Sequence, residues 1–291
     1  MEIPYTVKNR PDTGVYNGKL GIWLFLASEV MLFGGLFAAY VFLRLGAPEG
    51  TWPNGLMNIW AGFGNSIILL LSSVFVTKTW ASVKLNDFSG FKRNLAITML
   101  LSTLFLGIKG YEYNEKFHHF GAFMKDPASP VGWSLQVTGH LLENPDKEDT
   151  QHLLLAADAY QPSDWASAPK PDNYHEIKEN PALRFAHPGI EITGEEHHGE
   201  PVLKIAKDQI FRSSTFVPKY NSFFAIYFTM SGLHALHMIG GLVIFFYFWT
   251  FGSKMFHTNR AQFANRIEVT GLFWHFVDLI WFFLFPVMYL M

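Results

Sequence analysis

The sequence predicts an all-α polytopic membrane protein: five transmembrane helices, with a small irregular extramembrane insertion between the third and fourth. Three observations carry this reading. Only 16% of the 291 residues are charged and 49% are hydrophobic, whereas ordinary soluble domains carry about 25% charged residues. The charge is unevenly placed, almost missing from long stretches and crowded into the middle third. Apolar runs recur at close to the ~20 residues that a helix needs to cross a bilayer.

The spans are expected at 20–43, 59–80, 94–113, 220–250 and 267–291. The first has Glu29 as its one charge. The polar segment before it, 1–19, is followed by an apolar run too long for a signal-peptide core, so this run is expected to be retained as a span. The third is the shortest in apolar character, since only 95–108 is strongly apolar. Its extension Lys109-Gly110-Tyr111-Glu112-Tyr113 must reach the interface or face protein. The expected organisation is therefore helices in 1–115, an extracytoplasmic insertion over 116–219, and helices in 220–291. Lys and Arg placement sets the orientation. With a cytoplasmic N-terminus, Lys8, Arg10, Lys19, Lys78, Lys84, Lys92, Arg93, Lys254, Arg260 and Arg266 share that side, and the short opposite loop after the first span holds only Arg44. The C-terminus and the insertion then lie on the outer side.

The insertion is too long for a plain turn. It carries ten Lys/Arg against fifteen Asp/Glu, and ten of the fifteen prolines. Residues 149–160 suggest a short amphipathic helix. Ile190-Glu191-Ile192-Thr193 and Val202-Leu203-Lys204-Ile205 suggest a hairpin. The apolar residues, such as Leu153-Leu154-Leu155, read as too sparse for a large independent core. Its eight histidines, including His118-His119 and His197-His198, read as solvated loop residues.

Formal net charge is -2, which gives no reason to expect nucleic acid. There are no cysteines, so disulfides, thiolate metal sites and covalent c-type haem attachment are excluded. Ionisable groups within spans are costly and are the functional candidates. These are Glu29 in the first span, His234 and His237 in the fourth, and Glu268, His275 and Asp278 in the fifth. At about 100° per residue, the last three share one face, as do Ser231, His234 and His237. Two polar stripes facing each other would serve protons or lipid headgroups, or simply hold helices together. His234-x-x-His237 has a spacing that could bind metal, although a lone pair is weak evidence. Haem-copper catalytic chains need more intramembrane histidine ligands than His234, His237 and His275 supply. A binuclear copper site needs cysteines.

These residues resemble the cytochrome c oxidase subunit III family. Trp274-His275-Phe276-Val277-Asp278-Leu279-Ile280-Trp281 resembles the signature of its last helix, with Glu268 seven residues before the histidine. Gly232-Leu233-His234-Ala235-Leu236-His237 is similar to the motif on the preceding helix, with Ala235 in place of a glycine. Ser28-Glu29-Val30 resembles the helix carrying the family's intramembrane glutamate. Asn65-Ser66 and Glu112-Tyr113 match motifs on the two helices between. The chain begins at the third helix of the longest, seven-helix members. Leu272-Phe273 replaces a bulkier aromatic pair, and the insertion falls outside the resemblance.

The resemblance implies an accessory subunit that packs on catalytic subunit I, binds phospholipid, keeps proton uptake fast and protects against turnover inactivation. It implies no cofactor on this chain, with haem and copper in partner subunits. Subunits I and II and membrane lipids are the expected partners, with a cytochrome c or supercomplex partner at the insertion. A bacterial inner membrane is the expected location. The equivalent subunit of a ubiquinol oxidase, or a nitric-oxide-reductase-associated homologue, is an alternative. A stand-alone transporter or proton channel is a reading of another class.

Overall fold

The computed structural model describes residues 7–47, 58–129, 132–142, 151–162, 180, 185–215 and 222–290. The chain divides into two compact units. One comprises Met1–Leu43, Asn54–Tyr111 and Ile226–Met291, and the other Arg44–Pro53 and Glu112–Ala225.

The first unit is helical. Its helices are α1 (Asn17–Leu45), α2 (Ile59–Lys84), α3 (Phe88–His118), α4 (Ser222–Thr258) and α5 (Arg260–Phe285), the last closed by a π-helical turn, Pro286–Leu290. Among the described residues, five helices are long and apolar enough to cross a membrane. Several begin earlier than hydropathy suggests, because caps rather than apolar content set their starts. The Asp87 carboxylate accepts from the Gly90 N–H at 2.8 Å, which fixes the start of α3. Asn259 accepts from the Gln262 N–H at 3.1 Å and starts α5.

Packing centres on α2 and α5. The buried positions of α2 include Gly62, Ser66, Leu69, Ser72, Val76, Thr79 and Val83, a row of steps of three and four. Many are small, so a facing helix approaches closely. α5 brings large rings to that row. The Trp274 indole N–H donates to Ser72 Oγ and the Trp281 indole N–H to Ser66 Oγ, each at 3.0 Å. At Gly62 a Cβ would lie 2.8 Å from the Phe285 ring. By contrast α1 buries only Leu26, Phe33 and Tyr40, a single seam seven residues apart.

The second unit corrects the expectation of an all-α protein with an irregular insertion. It contains a six-stranded antiparallel sheet in the order β4-β5-β3-β2-β1-β6. The strands are β1 (His119–Lys125), β2 (Trp133–Leu142), β3 (His152–Pro162), β4 (Ile190–His197), β5 (Glu200–Ala206) and β6 (Ile210–Thr215). The expected helix at 149–160 is also overturned, since its described part is β3, a strand paired on both sides. A run such as Leu153-Leu154-Leu155-Ala156-Ala157 has no period that separates a doubly paired strand from a helix. The expected hairpin is present, with Ile190 opposite Ile205 and Ile192 opposite Leu203. It turns at His198 and Gly199, with φ of 56° and 84°. Positive φ at both central residues gives the twist that a two-residue hairpin loop requires.

The sheet also has a small core of its own. Ala122, Met124, Leu135, Val137, Leu155, Phe185, Leu203 and Ile205 cluster in it, all buried. Alternation along neighbouring strands concentrates them on one face.

Candidate functional site

The ionisable residues of the helical unit do not form one site. They fall in separate surroundings, and only Glu29 and His237 meet each other. Glu29 lies on the same face of α1 as Leu26 and Phe33, so its carboxylate turns inward. Its Oε2 is 3.0 Å from Nε2 of His237 on α4, and both side chains are largely buried. This is ion-pair distance without hydrogen-bond geometry. The other His237 nitrogen, Nδ1, lies 2.8 Å from the Leu233 carbonyl. That bond fixes Nδ1 as the N–H donor and leaves Nε2 facing the carboxyl group.

His234 points elsewhere. Its ring sits between Phe105 of α3 and Trp281 of α5, with centroids 5.8 and 5.4 Å away. Among the described residues neither of its nitrogens has a hydrogen-bond partner. The two histidines of the H-x-x-H pair therefore diverge, and among the described residues no group of three His, Asp or Glu is placed to hold a metal ion.

On α5 the three polar residues also separate. Glu268 accepts from Lys19 Nζ at 2.7 Å and from the Tyr16 hydroxyl at 3.4 Å. Burial, and then the Glu268 charge, push the Tyr16 phenol above its ordinary pKa. His275 Nδ1 lies 2.6 Å from Ser73 Oγ, and its Nε2 3.4 Å from Thr77 Oγ1, both on α2. Asp278 is buried on the α2–α5 seam, and neither carboxyl oxygen has a hydrogen-bond partner among the described residues. Ser73 faces it, with the hydroxyl already at His275. The polar side chains of the two stripes thus meet other helices, His237 and Glu268 reaching α1 and His275 reaching α2.

Sequence reasoning passed over a further cluster. Lys109 of α3 is buried, and its Nζ donates to the hydroxyls of Tyr227 and Tyr289 at 2.9 and 2.8 Å. The ammonium also lies over the rings of Tyr227, Trp281 and Tyr289, 5.1 to 5.5 Å from their centroids. Cation–π attraction strengthens when the cation is desolvated, which suits a lysine inside a bundle. The signal available was a lysine at the end of an apolar run, with tyrosines far away in sequence.

In the sheet unit, His119 corrects the reading of solvated histidines. It is buried on β1, and its Nε2 is 2.5 Å from Oδ2 of Asp158. Asp158 is the extra residue of a bulge in β3, since Thr138 pairs with Ala159 and Gly139 with Ala157. The bulge turns the carboxylate toward β1. Thr138 Oγ1 donates to Oδ1 at 3.2 Å. The His140 ring lies 4.3 Å from the His119 ring. Burial alone would lower the His119 pKa, but the Asp158 hydrogen bond outweighs it and the pKa is raised. Burial would raise Asp158, but the His119 bond and charge hold it below the ordinary carboxylate value.

Known proteins supply a frame for this geometry. The cytochrome c oxidase subunit III family model matches residues 6–121 and 203–291, leaving most of the sheet outside the match. Cytochrome c oxidase subunit 3 of Alkalihalophilus pseudofirmus is 23% identical over 97% of this chain and 92% of its own length. The protein of the same name from Bacillus sp. PS3 is 36% identical over 35% of this chain and 49% of its own. A heme-copper oxidase subunit I+III of Aeropyrum pernix is 33% identical over 32% of this chain and 12% of its own. The chain spans about half the length of several curated relatives that it matches. It belongs to the cytochrome c oxidase subunit III family.

Proposed function

We propose that this member of the subunit III family is the accessory subunit of a haem-copper terminal oxidase, a bacterial cytochrome c oxidase. It holds and supports catalytic subunit I, which carries the oxygen chemistry and the haem and copper. The observation that carries this reading is the Glu29–His237 contact. It spends the one carboxyl group of α1 on tethering that helix to α4, while α1 leaves Trp23, Leu24, Met31 and Phe42 exposed. An exposed apolar face on a tethered helix suits burial against lipid or a larger membrane partner. Glu268 with Lys19, His275 with Ser73, and the Trp274 and Trp281 indoles with Ser72 and Ser66 likewise join helix to helix, as expected of a scaffold.

In this reading the N-terminus is cytoplasmic in an inner membrane. The C-terminus and the segment 116–219 face outward, towards subunit II and the electron donor. The acidic excess of that segment suits a basic neighbour. Glu29 supports steady proton delivery to subunit I, and phospholipid packs against the helices.

Purification from native membranes in mild detergent tests the reading. The expected result is haem absorbance and a larger polytopic chain eluting with this one. A chain that elutes alone, without haem and with transport activity in vesicles, would overturn it.

A further inference from the structure

The joint where α3 runs into the sheet is built around one imidazole. Helix α3 ends at His118 and β1 begins at His119, with no residue between them. The joint, from Glu112 onward, belongs to the second compact unit. The His119 ring has a partner at each nitrogen. Nδ1 lies 2.9 Å from the Glu115 carbonyl in the last turn of α3, and Nε2 lies 2.5 Å from Asp158 Oδ2 on β3. Since β2 lies between β1 and β3 in the sheet, the ring ties the helix end to a strand two places away. The carboxylate is held ready for this contact. It projects from the bulge of β3 and accepts from the Thr138 hydroxyl at 3.2 Å. A Cβ on Gly139, beside the bulge, would strike the Ala156 carbonyl oxygen, so β2 and β3 leave no slack there.

These two bonds fix a proton count. A carbonyl oxygen only accepts, so Nδ1 must carry an N–H. An ionised carboxylate only accepts, so Nε2 must carry one as well. If the second proton sits on Asp158 instead, Nε2 accepts it and the total is unchanged. The arrangement therefore needs one proton more than a neutral imidazole beside a carboxylate holds. The surroundings favour that extra charge. A cation at a helix C-terminus is stabilised by the helix dipole. Burial opposes a charged ring, but the bonds to Asp158 and to the Glu115 carbonyl prevail and hold the His119 pKa above its ordinary value. Among the described residues, the other titratable groups acting on the pair or its neighbours are Glu112, Glu115 and Lys116 on α3 and His140 on β2.

We infer that His119 and Asp158 form a proton-binding site that locks the end of α3 to the sheet. With the proton bound, one ring holds both the helix carbonyl and the carboxylate. The proton that leaves to water is the one on Nδ1. The remaining N–H stays with the carboxylate, because a bond to a charged acceptor is roughly twice as strong as one to a neutral acceptor. Nδ1 then turns a lone pair toward the lone pairs of the Glu115 carbonyl, and the last turn of α3 is released. α3 is one of the helices long and apolar enough to cross a membrane. The proton activity of the water around the sheet thereby sets how firmly the end of that helix is held.

The test uses the full chain in the assembly with which it purifies. Histidine enriched in nitrogen-15 in the ring reports the protonation of each nitrogen by magnetic resonance, and the His119 signals are those that His119→Gln lacks. Both nitrogens are expected to be protonated at about pH 6, and Nδ1 alone to lose its proton as the pH rises to about 9. Amide exchange over 113–119, corrected for the intrinsic rate, should quicken about fivefold across the same range, the weight of one hydrogen bond. Asp158→Asn should abolish this step, because an amide N–H can donate to Nε2 of a neutral ring and leave Nδ1–H on the carbonyl. His140→Gln should keep the step, which separates the neighbouring ring from the site. A neutral His119 ring at about pH 6, proton loss from Nε2 in place of Nδ1, or an unchanged step in Asp158→Asn would overturn the proposal. If the variants fail to assemble, the wild type decides: a flat exchange profile over 113–119 between about pH 6 and about pH 9 overturns it.

Discussion

Replacing Asp158 with asparagine removes the charge that holds His119 in the interior of the sheet unit. The size of the effect follows from the geometry. The His119 side chain is 5% exposed and that of Asp158 33% exposed, with 2.5 Å between them. Loss of one partner from a fully buried pair costs about 3–5 kcal/mol. Asp158 keeps enough contact with water to reduce this, and the asparagine retains a bond to Thr138, so about 2 kcal/mol is expected. That is a factor of about 30 in the opening equilibrium. Amide hydrogen exchange on the full chain in detergent, corrected for the intrinsic rate at each pH, reads it directly. The core amides Ala122, Val137 and Leu155 should exchange about 30-fold faster in the variant near pH 6.

The pH dependence is the sharper discriminator. His119 has its pKa raised above 6.5, so its contribution is complete below 6.5 and is lost as pH rises through the raised value. Asp158 has its pKa lowered below 3.8, so its contribution is present above 3.8 and is lost as pH falls through the lowered value. The pair therefore stabilises the sheet most between about pH 4 and 6.5. Lys116 and His140 also face it, and Glu112 and Glu115 lie on the preceding helical turns. Raising the pH from 6 to 9 should cost the wild type most of its advantage over Asp158→Asn. Equal protection in the two proteins at pH 6, or parallel pH profiles, would refute the reasoning.

Three other substitutions test separate joints. Trp281→Phe removes the N–H that donates to Ser66 in the buried α2–α5 seam, and should destabilise the helical unit by about 1–3 kcal/mol in mixed-micelle unfolding. Ser66→Ala should then add little on that background, because the shared bond is already gone. Gly139→Ala places a Cβ 1.9 Å from the Ala156 carbonyl oxygen at the bulge, so the sheet must distort at a cost of about 3 kcal/mol or more, and limited proteolysis should cut within 116–219 far sooner. Glu29→Ala leaves His237 without its facing carboxyl group, a loss of about 1–3 kcal/mol; oxygen-uptake traces of the purified complex should start at the wild-type rate and then decay sooner.

Much of the helical unit was legible because the membrane imposes a simple rule. A segment that crosses lipid must satisfy its backbone internally and show lipid an apolar surface, so five spans follow from hydropathy alone. The ends were less legible, since Asp87 and Asn259 act through local hydrogen bonds that a hydropathy window cannot see. The sheet unit was largely hidden. The hairpin Ile190 to Ile205 showed itself because alternation and a Gly-bearing turn coincide there. β3 did not, because a strand paired on both sides reads as a continuous apolar run. Its small core is assembled from strands far apart in sequence, which no local window of the sequence displays.

The candidate site shows where periodicity stops being informative. Spacing puts Glu268, His275 and Asp278 on a common side of a helix, but a stripe on one helix does not identify the helix it meets. The partners are set by packing. Ser66, Ser72 and Ser73 on α2 are small enough for α5 to approach, and that approach delivers Trp274, His275 and Trp281 to hydroxyl groups. With α5 committed to α2, the α4 histidines are left to other neighbours, His237 to Glu29 and His234 to the Phe105–Trp281 pocket. Lys109 closes the same argument from the far side. Its charge is tolerable because α4 and the turn after α5 each supply a tyrosine hydroxyl, and Trp281 supplies a ring face. Trp281 thus touches groups from α2, α3 and α4 at once. A single indole that joins so many helices explains why polar residues scattered along the sequence act as one framework, and why their loss should loosen the unit as a whole before it alters any one contact.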